Sequence, residues 1–278
     1  MIKTARQLKD KIRNLSGGDS KKAQSFIRNY IMEEFLLRLS LSEYKDRFIL
    51  KGGMLVSSLA GINSRATMDI DTTVKAVSLN LQEATKAIET ICAVPVDDNI
   101  SFHITAGTDI MEEHDYPGIR FSLEAKFDSL IQPVKIDIST GDIITPSAIE
   151  YSYKMMFEEK SIRLMTYNIE TLLAEKFETV LSRSTENTRM RDFYDIVIIS
   201  GTTNYDNQIL KKAFLRTAAK RDTEKYIDSS SSTFEEIKNS ETMKNLWYSF
   251  IRNNWYVDNI SWEDAINTIT ELFNQFYN

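Results

Sequence analysis

Phe48-Ile-Leu-Lys-Gly-Gly-Met-Leu-Val-Ser-Ser-Leu-Ala-Gly-Ile-Asn-Ser-Arg-Ala-Thr-Met-Asp-Ile-Asp-Thr-Thr-Val74 decides the reading of this chain. A short apolar strand, 48–50, runs into Lys51-Gly52-Gly53. A helical stretch over 53–60 follows, and then Asp69-Ile70-Asp71 opens a second strand, 69–74. Alternate strand residues share a face, so Asp69 and Asp71 point the same way while Ile70 points inward. Two carboxylates side by side repel unless a cation sits between them, and Mg²⁺, a hard ion, prefers such oxygen ligands. The glycine pair lets the backbone approach an anion closely ahead of a helix. Together these features predict a site for a nucleoside triphosphate and its metal.

The periodicity on either side predicts helices at 3–14 and 21–40, the second capped by Ser20. A helix at 80–92 follows. Strands are expected over 100–104, 119–127 and 134–138, with Pro117-Gly118 punctuating the hairpin between the first two. Val134, Ile136 and Ile138 then face the core, and Lys135, Asp137 and Ser139 face the other way. After Pro146 the texture turns helical, with 161–165 the one further strand pattern. Helices are expected at 168–183, 189–200, 206–220, 233–252 and 262–277. Asn168 is a natural cap for the first of these. Ser229-Ser-Ser-Ser-Thr233 reads as a loop. The fold class expected is therefore α+β. A mixed sheet of about five strands occupies 1–145, a mainly helical domain occupies 146–278, and the nucleotide cleft is expected between them.

Asp137 is a third carboxylate on a strand face, either a partner of Asp69 and Asp71 or an ordinary surface residue. Lys176 borders the apolar face marked by Leu172, Leu173 and Phe177. It reads as a phosphate-facing point charge or a solvated lysine. Asp192 and Asp195 need partners among so many apolar neighbours, with Arg189 and Arg191 at hand. Arg65 suits a triphosphate or Asp69. His103 and His114 lie in no zinc spacing. Trp247, Trp255 and Trp262 suit helix packing, with base stacking as the alternative.

Four segments taken together resemble the AbiEii abortive-infection nucleotidyltransferase toxins, a branch of the polymerase-β-like nucleotidyltransferases. They are Phe35-Leu-Leu-Arg-Leu-Ser-Leu-Ser-Glu-Tyr-Lys-Asp-Arg-Phe-Ile-Leu-Lys-Gly-Gly53 with its Asp69-x-Asp71, Val134-Lys-Ile-Asp-Ile-Ser-Thr-Gly-Asp142, Leu173-Ala-Glu-Lys-Phe-Glu178 and Arg189-Met-Arg-Asp-Phe-Tyr-Asp-Ile196. The resemblance implies a mixed-sheet nucleotidyltransferase domain and a helical C-terminal domain. It implies Asp69, Asp71 and Asp137 as metal ligands for Mg²⁺ or Mn²⁺, and Lys176 and Asp192 as further catalytic residues. Lys51, Gly52, Gly53 and Arg65 become the nucleotide-binding set. The implied reaction moves a nucleoside monophosphate from an NTP to an acceptor, foremost a tRNA 3′ end. A protein hydroxyl, or an inactive nucleotide- or partner-binding fold, are the alternatives. An antitoxin encoded alongside is the implied partner. Two positions depart from the pattern. Met54 stands where the superfamily usually has Ser or Thr, and Ala66-Thr67-Met68 stands where the branch usually has Ser.

The composition fits this reading. Apolar content of 42% and charged content of 27% describe an ordinary globular chain. No run of about 18 apolar residues predicts a membrane span, and the N-terminus carries no apolar signal segment. Cys92 is the single cysteine, so no internal disulfide is expected, as suits a cytoplasmic protein. A net charge of −6 argues against a surface coated for nucleic acid. The basic residues are concentrated, however. Residues 1–28 hold eight against two acidic ones, and Lys212, Arg216 and Lys220 recur four apart on one helix face.

Overall fold

A computed structural model describes residues 2–75, 80–111, 117–257 and 260–278. Within them the chain forms two compact units. The first comprises Met1–Ser58, Ala66–Asp142 and Ile149–Thr166; the second comprises Leu59–Arg65, Ile143–Ala148 and Tyr167–Asn278.

The first unit begins with α1 (Ala5–Ser16) and α2 (Ser20–Leu41). Asp19, not Ser20, caps α2, its carboxylate accepting from Lys22 N at 2.9 Å. Next come β1 (Phe48–Lys51), α3 (Gly52–Ala60), β2 (Ile70–Val74) and α4 (Leu81–Cys92). The strands β3 (Ile100–Met111), β4 (Pro117–Phe127), β5 (Leu130–Thr140), β6 (Ile149–Lys154) and β7 (Ser161–Thr166) complete the unit. The sheet order is β3-β4-β5-β2-β1-β7-β6. β2 runs parallel to β5 and β1 parallel to β7; the other neighbours are antiparallel. The sheet is therefore mixed, as expected, but has seven strands among the described residues. The extra strand β6 is an edge strand in which Ile149, Tyr151 and Tyr153 alternate with Glu150, Ser152 and Lys154, a strand period that the sequence carries but that is a weak signal because only Tyr153 is buried. β3 outruns its expected end at 104 because its pairing with β4 continues through an irregularity between Ile104 and Ala106, along a polar, mostly exposed stretch. Pro117 and Gly118 open β4; residues 112–116, His114 among them, lie outside the described residues.

Burial follows the pleat. Ile70, Phe121, Ile136 and Ile138 are sealed on one face. Cys92 ends α4 half-buried, and burial first of all pushes its thiol up to about 12, as suits a packing residue.

The second unit contains α5 (Ile169–Arg183), α6 (Met190–Thr202), α7 (Asn207–Lys220), α8 (Ser230–Asn239), α9 (Glu241–Asn253) and α10 (Trp262–Tyr277). Asn168 caps α5, accepting from Thr171 N at 2.8 Å. The expected helix over 233–252 is two helices. Ser240 breaks it and caps α9 by accepting from Met243 N. The serine run at 230–233 is helical rather than a loop, because Ser230, Thr233, Phe234 and Ile237 form the buried face of α8. Trp247 and Trp262 are fully buried, their indoles donating to Ile260 O and Lys238 O. Those two therefore serve packing. Trp255 is half-buried, edge-on to Tyr256.

Candidate active site

Strand register builds the site in the first unit. Lys51 on β1 is opposite Asp71 on β2, Asp71 is opposite Asp137 on β5, and Asp137 is opposite Arg120 on β4. Four charged side chains thus form one row across four strands. Asp69, one pleat before Asp71, joins them. Carboxylate oxygens of Asp69, Asp71 and Asp137 lie within 4.8 Å of one another.

The local sequence supports this cluster. Gly52 has φ +63°, and a Cβ there would stand 2.0 Å from Asp71 Oδ2. Gly53 N donates to that oxygen at 3.3 Å. The glycine pair therefore approaches an anion closely, and the anion is the protein's own Asp71. Thr67 Oγ1 donates to Asp69 Oδ1 at 3.3 Å, so a hydroxyl stands beside the carboxylates despite the departure at 66–68. Met54 is wholly buried, so a core residue stands at the position where the resemblance leads one to expect a hydroxyl. Lys51 Nζ donates to Asp142 Oδ2 at 2.7 Å, and Ser139 Oγ holds the same oxygen at 2.8 Å.

The electrostatics leave negative charge uncompensated. Burial first, then Asp69 and Asp137, push Asp71 above the ordinary carboxylate range to about 7, against the opposing pull of Lys51. Asp137, 7% exposed, has a strong counter-ion. Arg120 Nε donates to its Oδ1 at 2.7 Å and Nη2 to its Oδ2 at 2.6 Å. The half-buried Arg28 on α2 also feels Asp69. Three clustered carboxylates, of which Asp137 is paired with Arg120, offer the hard oxygen ligands that fit Mg²⁺ or Mn²⁺.

The second unit gathers three further candidate residues. Lys176 Nζ on α5 donates to Asp192 Oδ1 at 2.9 Å and Asp195 Oδ2 at 2.8 Å, both on α6. Arg65 Nε donates to Asp195 Oδ1 at 2.6 Å. Burial pushes Asp195 up, but Arg65 and Lys176 outweigh it and hold the carboxylate below its usual range. Burial pulls Lys176 down, and Asp192 and Asp195 more than reverse that. Asp195 therefore finds its partners in Arg65 and Lys176 rather than in the adjacent arginines of its own helix. Lys212, Arg216 and Lys220 lie exposed along α7, opposite its buried Ala213, Phe214 and Thr217.

Reading the sequence singled out neither Arg120 nor the anchoring role of Asp142. A signal for Arg120 existed. The two-residue turn Asp128-Ser129, where Asp128 has φ +51°, pairs Phe127 with Leu130 and so sets Arg120 against Asp137.

A family model described as nucleotidyl transferase AbiEii toxin, type IV TA system, matches residues 34–268. No curated protein matches the chain. The fold resembles that of JHP933 from Helicobacter pylori, at TM-score 0.53 and 13% identity, covering 91% of this chain and 92% of that one. A second H. pylori protein, assigned as a nucleotidyltransferase, aligns at TM-score 0.46 and 16% identity over 91% and 95% of the two chains. An antigenic nucleotidyltransferase-like protein from Paracoccidioides brasiliensis aligns at TM-score 0.40 and 14% identity over 84% and 94%. Those two add nothing to the fold assignment, which rests on the first.

Proposed function

Because the chain belongs to the AbiEii nucleotidyltransferase toxin family of type IV toxin–antitoxin systems, we propose that it moves a nucleoside monophosphate from an NTP to the 3′ end of a tRNA. The family makes it a nucleotidyltransferase with a nucleotide substrate and an antitoxin partner. The RNA acceptor, the Mg²⁺ requirement and the setting, growth arrest in a phage-infected bacterial cytoplasm, are our reading. The observation that carries it is the cluster of Asp69, Asp71 and Asp137, with oxygens within 4.8 Å of one another.

In the transfer, the acceptor hydroxyl oxygen bonds to the α-phosphorus, the bond to the β-phosphate oxygen breaks, and pyrophosphate leaves. Asp69, Asp71 and Asp137 would hold the divalent ion. When bound, the ion polarises the α-phosphate and neutralises developing charge. Asp137 takes the acceptor proton. Lys51, Gly52, Gly53 and Arg65 are assigned to the nucleotide. Lys176 is assigned to the leaving phosphates as a point charge, and Asp192 acts through it as a positioning residue. Lys212, Arg216 and Lys220 supply an exposed basic stripe for an RNA backbone. No described helix is long and apolar enough to cross a membrane.

Incubation with each α-labelled NTP, with and without total tRNA and with and without EDTA, tests this proposal. EDTA-sensitive label on tRNA that declines steeply with salt supports it. Label on protein moves the acceptor to a protein hydroxyl. No label on any acceptor sinks the catalytic reading in favour of an inactive nucleotide-binding fold.

A further inference from the structure

Arg120 is the one member of the charged row that pairs with a metal-site carboxylate through two hydrogen bonds, Nε to Oδ1 and Nη2 to Oδ2 of Asp137. Side-on, two-point pairing of this kind is the strongest form of the arginine–carboxylate bond and fixes both partners. It engages one lone pair on each oxygen of the carboxylate that the metal site needs and neutralises the charge that would attract the ion. The two ends of the pair differ in setting. Asp137 is 9% exposed at its side chain and Arg120 is 43% exposed. Release of the guanidinium into water therefore has little desolvation cost, whereas Asp137 has no such exit. The other cation of the row, Lys51, is engaged with Asp142.

We propose that Arg120 is a built-in counter-ion that competes with the divalent cation for Asp137, so that the nucleotide-free protein binds metal weakly and the site is completed when metal and triphosphate arrive together. The inference rests on the metal-site reading above and adds a competing counter-ion to it. Three carboxylates so close need positive charge in either state. Arg120 provides it before loading, and the incoming cation replaces it afterwards. The freed guanidinium keeps a forked set of donors matched to a phosphate oxygen pair. Triphosphate thereby favours the released state, which makes metal and nucleotide binding reinforce each other.

The contrary role is a clamp that only orients Asp137 for the metal. The two roles predict opposite signs. Mn²⁺ binding to the nucleotide-free protein, followed by electron paramagnetic resonance of the free ion, separates them in the wild type, Arg120→Gln, Arg120→Lys and Asp71→Asn. A counter-ion predicts Mn²⁺ bound at least tenfold more tightly by Arg120→Gln, which is about 1.4 kcal/mol. Arg120→Lys, which keeps the charge, should stay near the wild type. The Mn²⁺-induced rise in melting temperature should be larger in Arg120→Gln, because its metal-free form has lost the charge that balanced Asp137. A non-hydrolysable NTP analogue should tighten Mn²⁺ binding in the wild type and do so less in Arg120→Gln. If Asp71→Asn abolishes Mn²⁺ binding while Arg120→Gln binds Mn²⁺ as the wild type does or more weakly, the counter-ion role is overturned and the metal site stands. If neither the wild type nor Arg120→Gln shows Mn²⁺ binding that depends on Asp71, the metal site falls and the Arg120 role falls with it.

Discussion

Gly52→Ala perturbs the site through one methyl group. The glycine sits at φ +63°, where an L-residue costs about 1–2 kcal/mol. The added Cβ would also lie 2.0 Å from Asp71 Oδ2, 2.6 Å from its Cγ and 2.7 Å from its Cβ. Ordinary contact begins near 3.4 Å, so the carboxylate must retreat by about 1.4 Å or the α3 entry must shift by as much. A displacement of about 1 Å in a catalytic group can lower the rate about a hundredfold. Gly17→Ala is the matched control. It has nearly the same backbone, φ +61°, but nothing within 4 Å of the added Cβ. Urea unfolding should show a loss of about 1–2 kcal/mol in both variants, with a further loss in Gly52→Ala alone. Mn²⁺ binding and nucleotide transfer should fall in Gly52→Ala and stay at wild-type level in Gly17→Ala. Gly52→Ala with wild-type metal affinity and rate would refute the tight packing of the glycine pair against Asp71.

Asp195→Ala leaves Arg65 and Lys176 buried with one carboxylate between them, Asp192. Breaking such a buried pair costs about 3–5 kcal/mol, which denaturant unfolding would read; a loss under about 1 kcal/mol would show that the cluster is solvated. Met54→Ser removes a fully buried side chain, and large-to-small changes of this kind cost about 2–5 kcal/mol. Calorimetric melting should register that loss, and a neutral result would contradict the packing role of Met54. The third expectation concerns pH. Asp71 is raised from 3.8 to about 7 in the folded protein, so the stability lent by its protonated form is full below pH about 4 and is lost as pH rises through about 7. Metal-free protein should therefore lose stability across that window, Mg²⁺ should stabilise it more at pH 8 than at pH 5, and Asp71→Asn should flatten both trends.

The parts of this molecule legible in its sequence are those set by local period and local chemistry. Asp69-Ile70-Asp71 predicts a shared face, and the structure has Ile70 sealed inward with the carboxylates in a cluster. Val134, Ile136 and Ile138 predict the outward face of Asp137 in the same way. What stayed hidden depends on register or on edges. Arg120 gains its meaning only from the partner opposite it, and β6 has the alternation of a strand in Ile149, Tyr151 and Tyr153 but only six residues, with one of them buried, beside a texture that otherwise turns helical. The break at Ser240 shows a third limit. The helical period runs on across 233–252, and only the cap on α9 marks the break. Asp195 paired with residues 130 and 19 positions away, a choice made by tertiary packing rather than by its neighbours on α6.

The central claim is that Asp69, Asp71 and Asp137 hold the cation for nucleotidyl transfer, and the rate of Asp71→Asn tests it most directly. Asn keeps the size of the side chain and removes its charge, so the fold should persist. Transfer of label from saturating NTP in Mg²⁺ should fall about a hundred- to a thousandfold, the loss expected for a charge-stabilising group. A folded Asp71→Asn that transfers label within threefold of the wild type would contradict the account.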